Sequence, residues 1–263
     1  MSPGHNATFE RYTRQMVFPG IGLAGQRRIL GSRGLVVGVG GLGSWTAELL
    51  ARAGLGTLAL VDDDRVDITN LHRQGLYDQH AAQANAPKVQ AAAQRLRRIN
   101  DQVTVEPLEA RLDKDNIAQL ARDADVILDG TDNFATRFVI NDYAVKTGTP
   151  WVFAGVVAAE GQVMTVASPH TPCLRCVFDE PPPPCVDPAC QVAGVLGPAV
   201  AAVAAVQACQ AVKLLAGGPR EAVVGLIKLD LWHSTVQQIG APGAARRKQC
   251  PCCGLGHYDY LER

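Results

Sequence analysis

Residues Leu35-Val36-Val37-Gly38-Val39-Gly40-Gly41-Leu42-Gly43 decide the fold. The apolar run from Leu35 to Val39 lacks alternation and reads as a strand covered on both faces. The glycines behind it fit G-x-G-x-x-G where a helix over Ser44 to Ala53 begins. Glycines there let the backbone approach a phosphate closely, and the helix N-terminus supplies unpaired N–H groups and partial positive charge. Outward from this point the pattern repeats: strand Thr57 to Val61, helix Pro87 to Ile99, strand Val103 to Pro107 and a short helix near Ile117. Strand Val126 to Asp129, helix Phe134 to Lys146 and strand Trp151 to Val157 follow. This alternation predicts an α/β, doubly wound, Rossmann-like sheet that is mostly parallel. After a proline- and cysteine-dotted loop (about 172–191) come a helix from Leu196 to Leu215, one or two strands between Val223 and Trp232, and a cysteine-tipped tail. These read as antiparallel additions to the same sheet, in a single domain spanning 1–263.

Composition narrows the classes. Lysine plus arginine equals aspartate plus glutamate at 25 each, so nothing points to nucleic acid or an anionic membrane as partner. With 47% apolar and 19% charged residues, bulk disorder is excluded. At 5%, aromatics are too few for a base-stacking platform. The segment from Val192 to Ala216, broken by Gln207, Gln210 and Lys213, reads as a buried helix rather than a bilayer span. The N-terminus MSPGHNATFERYTR lacks an apolar h-region, so the expected compartment is the cytosol. There, eight cysteines point to metal binding or thiol chemistry rather than disulfides.

Three segments follow strands on the side where doubly wound sheets bind ligands. The first is Asp62-Asp63-Asp64-Arg65-Val66-Asp67-Ile68-Thr69-Asn70-Leu71-His72-Arg73-Gln74, whose Asp62 stands nineteen residues past Gly43, placed to accept ribose hydroxyls. The second is Asn85-Ala86-Pro87-Lys88, with Asn85 as helix N-cap and Lys88 in the opening turn, against the helix dipole. The third is Asp129-Gly130-Thr131-Asp132-Asn133, where Asp132 is suited to hold Mg²⁺ against phosphate oxygens. The candidate nucleotide site is therefore Gly38, Gly40, Gly41, Gly43, Asp62, Asp64, Asn70, Arg73, Gln74, Lys88, Asp132 and Asn133. Lysine, arginine and a metal ligand at one locus suit a triphosphate better than a dinucleotide pyrophosphate. Structural alternatives remain: the glycines as a packing turn, Arg73 and Lys88 as solvated charges, and Asp132 as a cap for the Phe134 helix. His72 reads as a loop residue. Cys173-x-x-Cys176 and Cys250-x-x-Cys253 have the arithmetic of a four-thiolate Zn²⁺ site, with Cys252 as a possible substitute ligand. Cys209, in an alanine-rich helix, is expected in the core.

Together, Arg11-Tyr12-Thr13-Arg14-Gln15, the glycine loop, V-D-D-D-R-V-D-I-T-N-L-H-R-Q, Lys88, D-G-T-D-N with Arg137 behind it, C-L-R-C and C-P-C-C resemble the MoeB/ThiF/HesA family. These are bacterial relatives of ubiquitin-activating enzymes, and the resemblance covers residues 9–256. It implies adenylation by ATP of the C-terminal Gly-Gly carboxylate of a small ubiquitin-like sulfur carrier (ThiS or MoaD type). By matching motif, Gly41 and Asp62 bind nucleotide, Asn70, Arg73 and Lys88 handle phosphates, and Asp132 takes Mg²⁺. Arg14 reaches the other subunit's site in a homodimer, and the cysteine pairs hold Zn²⁺. Thr69 replaces the family's usual serine and keeps the hydroxyl. Cys190 falls in the family's C-x-x-A-G-V-L-G segment, where ThiF-like members use the thiol covalently. Cys185 stands where a glycine commonly follows the prolines. No rhodanese-like segment follows the tail, so a separate sulfur donor is expected. An attacking carboxylate is already ionised and needs charge neutralisation rather than a general base. Alternatives are an NAD(P)-dependent oxidoreductase, a relative that activates a tRNA-bound carboxylate (tRNA threonylcarbamoyladenosine dehydratase-like), and a nucleotide-binding scaffold without turnover.

Overall fold

The structure is a computed structural model describing residues 7–178, 180–181, 194–240 and 248–262. Cys185 and Cys190 lie outside the described residues. Short helices α1 (Ala7–Glu10) and α2 (Thr13–Val17) lead into α3 (Gly22–Gly31), then β1 (Arg33–Val37), α4 (Gly41–Ala53) and β2 (Thr57–Val61). Next come α5 (Gln79–Gln83), α6 (Lys88–Ile99), β3 (Thr104–Leu108), α7 (Ile117–Leu120), β4 (Val126–Asp129), α8 (Phe134–Thr147) and β5 (Trp151–Val157). The chain continues through β6 (Glu160–Val166), α9 (Gly197–Gly217), β7 (Leu226–Asp230), β8 (Thr235–Ile239) and α10 (Asp259–Glu262).

One sheet runs β3-β2-β1-β4-β5-β6-β7-β8. The first five strands are parallel and the last three antiparallel, which is the mixed doubly wound arrangement the patterning predicted. The strand order reverses between β1 and β4, and such switch points open a crevice at the strand ends.

Local chemistry explains the elements that matter for it. Helix α4 buries Leu42, Ala47, Leu50 and Ala51, and ends where Gly54 takes φ +86°, a conformation open to glycine without strain. On α6, Val89, Ala92, Ala93 and Leu96 face the core while Arg95, Arg97 and Arg98 face out. Helix α9 is long and apolar enough to cross a bilayer, yet it packs on α3, α4, β5 and β6. Its buried Gln207 explains the polar interruption in the sequence. The Nε2 atom donates to the carbonyls of Asp129 and Val152, both at 2.8 Å, and Oε1 accepts from Thr46 Oγ1 at 2.6 Å.

Four expectations are corrected. The first strand ends at Val37 rather than Val39, because side chains of Asp62 and Tyr77 claim the Val39 backbone. Strand β6 has no counterpart in the sequence pattern, since the turn before it is Ala158-Ala159 with Ala158 at φ +53°, without the glycine or asparagine that marks a hairpin. Asn85 is no N-cap: it sits at φ +47°, Pro87 precedes α6, and Arg65 bridges Pro87 and donates to the Asn85 carbonyl. Cys209 is exposed on the outer face of α9, out of phase with the inward Gln207, Ala211 and Leu214.

Candidate active site

A cleft of about 990 Å³ opens over the C-terminal ends of β1 to β5. Its floor is the turn between β1 and α4. Gly38 takes φ +79°, and a Cβ on Gly43 would stand 1.9 Å from the Gly38 carbonyl oxygen, so helix and strand meet only because that position is glycine. The turn is held from both sides at Val39. Its N–H donates to Asp62 Oδ2 at 2.6 Å, and its carbonyl accepts from Tyr77 Oη at 2.7 Å. Asp62 Oδ1 accepts from the Asp64 N–H at 2.8 Å. Burial pushes the Asp62 carboxyl up, and these two N–H donors pull it back.

The cations converge on this floor. Lys88, the first residue of α6, keeps only 8% of its side chain exposed, and its Nζ lies 2.7 Å from Asp64 Oδ2, whose side chain is 70% exposed. A buried ammonium thus has a partner that solvent already competes for. Arg73 donates from Nη1 to the Thr69 carbonyl, and Asn70 Oδ1 accepts the Asp67 N–H, leaving its Nδ2 unused among the described residues. Gln74 is buried beside Gly40, and its Oε1 lacks a partner among the described residues. Lys88 is therefore not a solvated surface charge, whereas Arg73 is partly exposed.

Asp132 faces the same cleft from the end of β4. The cap of α8 is Asn133, which accepts the Thr136 N–H at 2.9 Å, so capping is not what occupies Asp132. Its position is set by its neighbours. Asp129 is fully buried; it accepts the Thr131 N–H and hydroxyl, and Arg137 Nε donates to it at 3.1 Å. Arg137 Nη2 also donates to the carbonyls of Thr131 and Ala154, and the guanidinium lies over the rings of Phe134 and Phe153. Burial pushes Asp129 up while Arg137 opposes it. Asp132 itself has no partner among the described residues, and an open carboxylate on the cleft is the kind of oxygen ligand that Mg²⁺ takes.

Behind α8 lies a second cluster. Sulfur atoms of Cys173, Cys176, Cys250 and Cys253 all fall within 4.8 Å of one another, with Cys173–Cys250 at 3.6 Å and Cys176–Cys253 at 3.4 Å. Four thiolates around an ion at about 2.3 Å stand about 3.8 Å apart, so the donor set fits a zinc knuckle. Cys252 stays outside the tetrad and its sulfur accepts from Asn141 Nδ2 at 3.4 Å. Asn141 Oδ1 accepts the Leu174 N–H, tying α8 to both cysteine pairs.

The structure thus gathers Gly38, Gly40, Gly41, Asp62, Asp64, Asn70, Arg73, Gln74, Lys88, Asp132 and Asn133 around one cleft, with Gly43 packed beneath. Arg14 is not among them. Tyr12, two residues earlier, packs against Gly54 and accepts a hydrogen bond from Asn100, at the far ends of α4 and α6. Arg14 is exposed near that end, and α4, 13 residues or about 20 Å long, separates Gly54 from the glycine turn. Sequence reasoning missed Tyr77, Asp129 and Gln207 as supports, for Asp129 and Gln207 are single polar residues beside apolar ones and Tyr77 stands in a polar loop. It also missed that His72 lines the cleft.

Sheet order, glycine turn and convergent cations define a nucleotide-binding enzyme of the doubly wound class. The chain belongs to the ThiF family, whose profile matches residues 12–252. It is 39% identical over 251 residues to the sulfur carrier protein ThiS adenylyltransferase of Bacillus subtilis, covering 95% of this chain and 73% of that one. It is 37% identical to the sulfur carrier protein adenylyltransferase of Thermus thermophilus, covering 93% and 90%. Its identity to the SAMP-activating enzyme E1 of Haloferax volcanii is 39%, covering 96% and 92%. Crystalline E. coli MccB shares the fold at a TM-score of 0.80 and 20% identity, covering 95% of this chain and 76% of that one.

Two outcomes follow from this geometry. Arg137→Ala leaves a buried carboxylate without its cation and is expected to cost about 3–5 kcal/mol at neutral pH. Because Asp129 is then held still further above its ordinary value, the folded state takes up a proton that the unfolded chain does not. The penalty therefore shrinks as pH falls toward the unfolded carboxylate value of about 4. Urea unfolding at two pH values checks this, and an equal penalty at both contradicts it. For the sulfur cluster, Cys253→Ser is expected to lose bound metal by elemental analysis while Cys252→Ser retains it.

Proposed function

We propose that the chain is an ATP-dependent adenylyltransferase that activates the C-terminal Gly-Gly carboxylate of a ubiquitin-like sulfur carrier. The observation that carries this reading is the nearly buried Lys88 facing the glycine turn, with Arg73 and the open Asp132 carboxylate on the same cleft. A dinucleotide pyrophosphate leaves that set without a purpose; a triphosphate whose α-phosphorus is attacked uses all of it. The names of the relatives above support the carrier as substrate class.

In this reading the N–H groups at the start of α4 and the side chains of Asn70, Arg73 and Lys88 bind the phosphates. Asp132 holds Mg²⁺, which supplies charge neutralisation when bound. Lys88 exchanges Asp64 for phosphate oxygen. The carrier's terminal carboxylate oxygen bonds to the α-phosphorus, the bond to the β-phosphate oxygen breaks, and pyrophosphate leaves. No proton moves at the carboxylate, which matches a site without a nucleophile–base pair among the described residues. A sulfur donor then displaces AMP from the acyl carbon. Zn²⁺ in the cysteine tetrad is structural, and a reducing compartment keeps those thiols available.

Two surfaces support the partners. Val157 is exposed on the cleft, and Leu196 and Trp232 are exposed beside the turn between β5 and β6, to which the Leu196 and Leu231 N–H groups donate, a place for the carrier body. Arg14 stands too far to serve its own cleft, while Val17, Phe18 and Leu23 expose an apolar surface beside it. Both features favour a homodimer that supplies Arg14 in trans.

ATP–pyrophosphate exchange is expected to require a Gly-Gly-ended carrier and to fall by about 10²–10³ in Asp132→Ala and in Lys88→Ala. Stabilisation by NADH and not by Mg·ATP contradicts the reading, as does exchange stimulated by tRNA alone. Mixing Arg14→Ala with Asp132→Ala chains tests the dimer: each mixed dimer regains one intact site, so about a quarter of wild-type exchange returns. No recovery sinks the trans role of Arg14.

A further inference from the structure

His72 has no part in the scheme above, yet it touches a residue that does. Its Nε2 lies 2.9 Å from Arg73 Nη1, and the same nitrogen donates to the Thr69 carbonyl at 2.9 Å. A guanidinium has donors only and stays protonated, so Nε2 is the acceptor and the ring proton sits on Nδ1. The tautomer follows from the partner.

The main chain at this point has little freedom. Trp45 Nε1 donates to the Arg73 carbonyl at 3.0 Å, and the Arg73 N–H donates to the Asn70 carbonyl at 3.1 Å. The His72 carbonyl packs on the start of α9, where a Cβ on Gly197 would come within 2.4 Å of it. With the backbone pinned, what remains free is the long arginine side chain. Two acceptors at Nη1 fix it and leave Nε and Nη2 without partners among the described residues, open to an anion in the cleft.

We propose that neutral His72 is the positioning residue that aims Arg73 at the phosphates of bound nucleotide. This rests on the nucleotide reading given above. Besides Arg73, the charged groups among the described residues that line the same cleft are Asp62, Asp63 and Asp64 just after β2, Arg111 beyond β3, Lys88 on α6, Asp132 just before α8 and Arg137 on it. The first turn of α9, which packs on His72, carries no titratable side chain. Protonated His72 has donors at both ring nitrogens and sets one cation against another, so Arg73 is released. The sign is informative. If His72 acted merely as a nearby charge, its protonation would tighten triphosphate binding; as a positioning acceptor it weakens binding.

The test is calorimetric titration of the full-length protein with Mg·ATP, without carrier, at about pH 8 and about pH 6. Wild type is expected to bind about tenfold more weakly at the lower pH, the equivalent of one charge-assisted contact. His72→Gln keeps an acceptor that does not titrate, and is expected to bind within about threefold of wild type at the higher pH with most of the acid weakening gone. His72→Phe is expected to bind about tenfold more weakly at both. Full acid weakening in His72→Gln overturns the proposal, and that variant alone decides it if His72→Phe does not fold. Wild-type binding that tightens at the lower pH also overturns it. Wild type that binds no Mg·ATP at either pH removes the nucleotide reading and this proposal together, a result distinct from failure of His72 alone.

Discussion

Three stretches of backbone meet at the carbonyl oxygen of Gly38. A Cβ on Gly43 would stand 1.9 Å from it and one on Gly130 2.2 Å, so the end of β1, the first turn of α4 and the loop after β4 pack together with no side chain between them. Everything in the cleft inherits its place from this contact. It sets the free N–H groups of α4 beside the loop that carries Asp132, and it leaves Val39 where Asp62 and Tyr77 can hold it. Each glycine costs roughly 0.5–1 kcal/mol of backbone entropy relative to alanine. The close approach of helix to sheet is what that cost secures.

Around this contact the two buried cations follow opposite logic. Arg137 is paired with a carboxylate that has no access to water, and its other hydrogen bonds go to main-chain carbonyls. Such a pair is fixed for the life of the fold. Lys88 is equally hidden, but its partner Asp64 is largely in solvent. A ligand oxygen can replace that carboxylate without stranding a charge, since the aspartate is already hydrated. The first arrangement shapes the site and the second is ready to exchange partners.

Much of this was legible in the chain. Apolar runs without alternation, spaced by helical patterns, specify a parallel sheet, and the glycine spacing marks its switch point. The two C-x₂-C spacings suggested the tetrad of Cys173, Cys176, Cys250 and Cys253, but with 77 residues between paired thiols it was the family resemblance that joined them. What escaped had physical causes. The β5–β6 hairpin turns on an alanine at positive φ, against propensity. Asn85 has the composition of a cap, but a bridge from Arg65 claimed that segment. His72 and Tyr77 act through contacts whose partners are set by tertiary packing, which no local pattern encodes.

The central claim is that a carboxylate oxygen becomes bonded to the α-phosphorus of ATP in this cleft. It is tested most directly by labelling both terminal oxygens of the carrier with ¹⁸O and analysing the AMP released after sulfur transfer by mass spectrometry. Attack by the carboxylate predicts one ¹⁸O atom in AMP, because cleavage at the acyl carbon leaves the bridging oxygen on phosphorus. Unlabelled AMP would contradict the account.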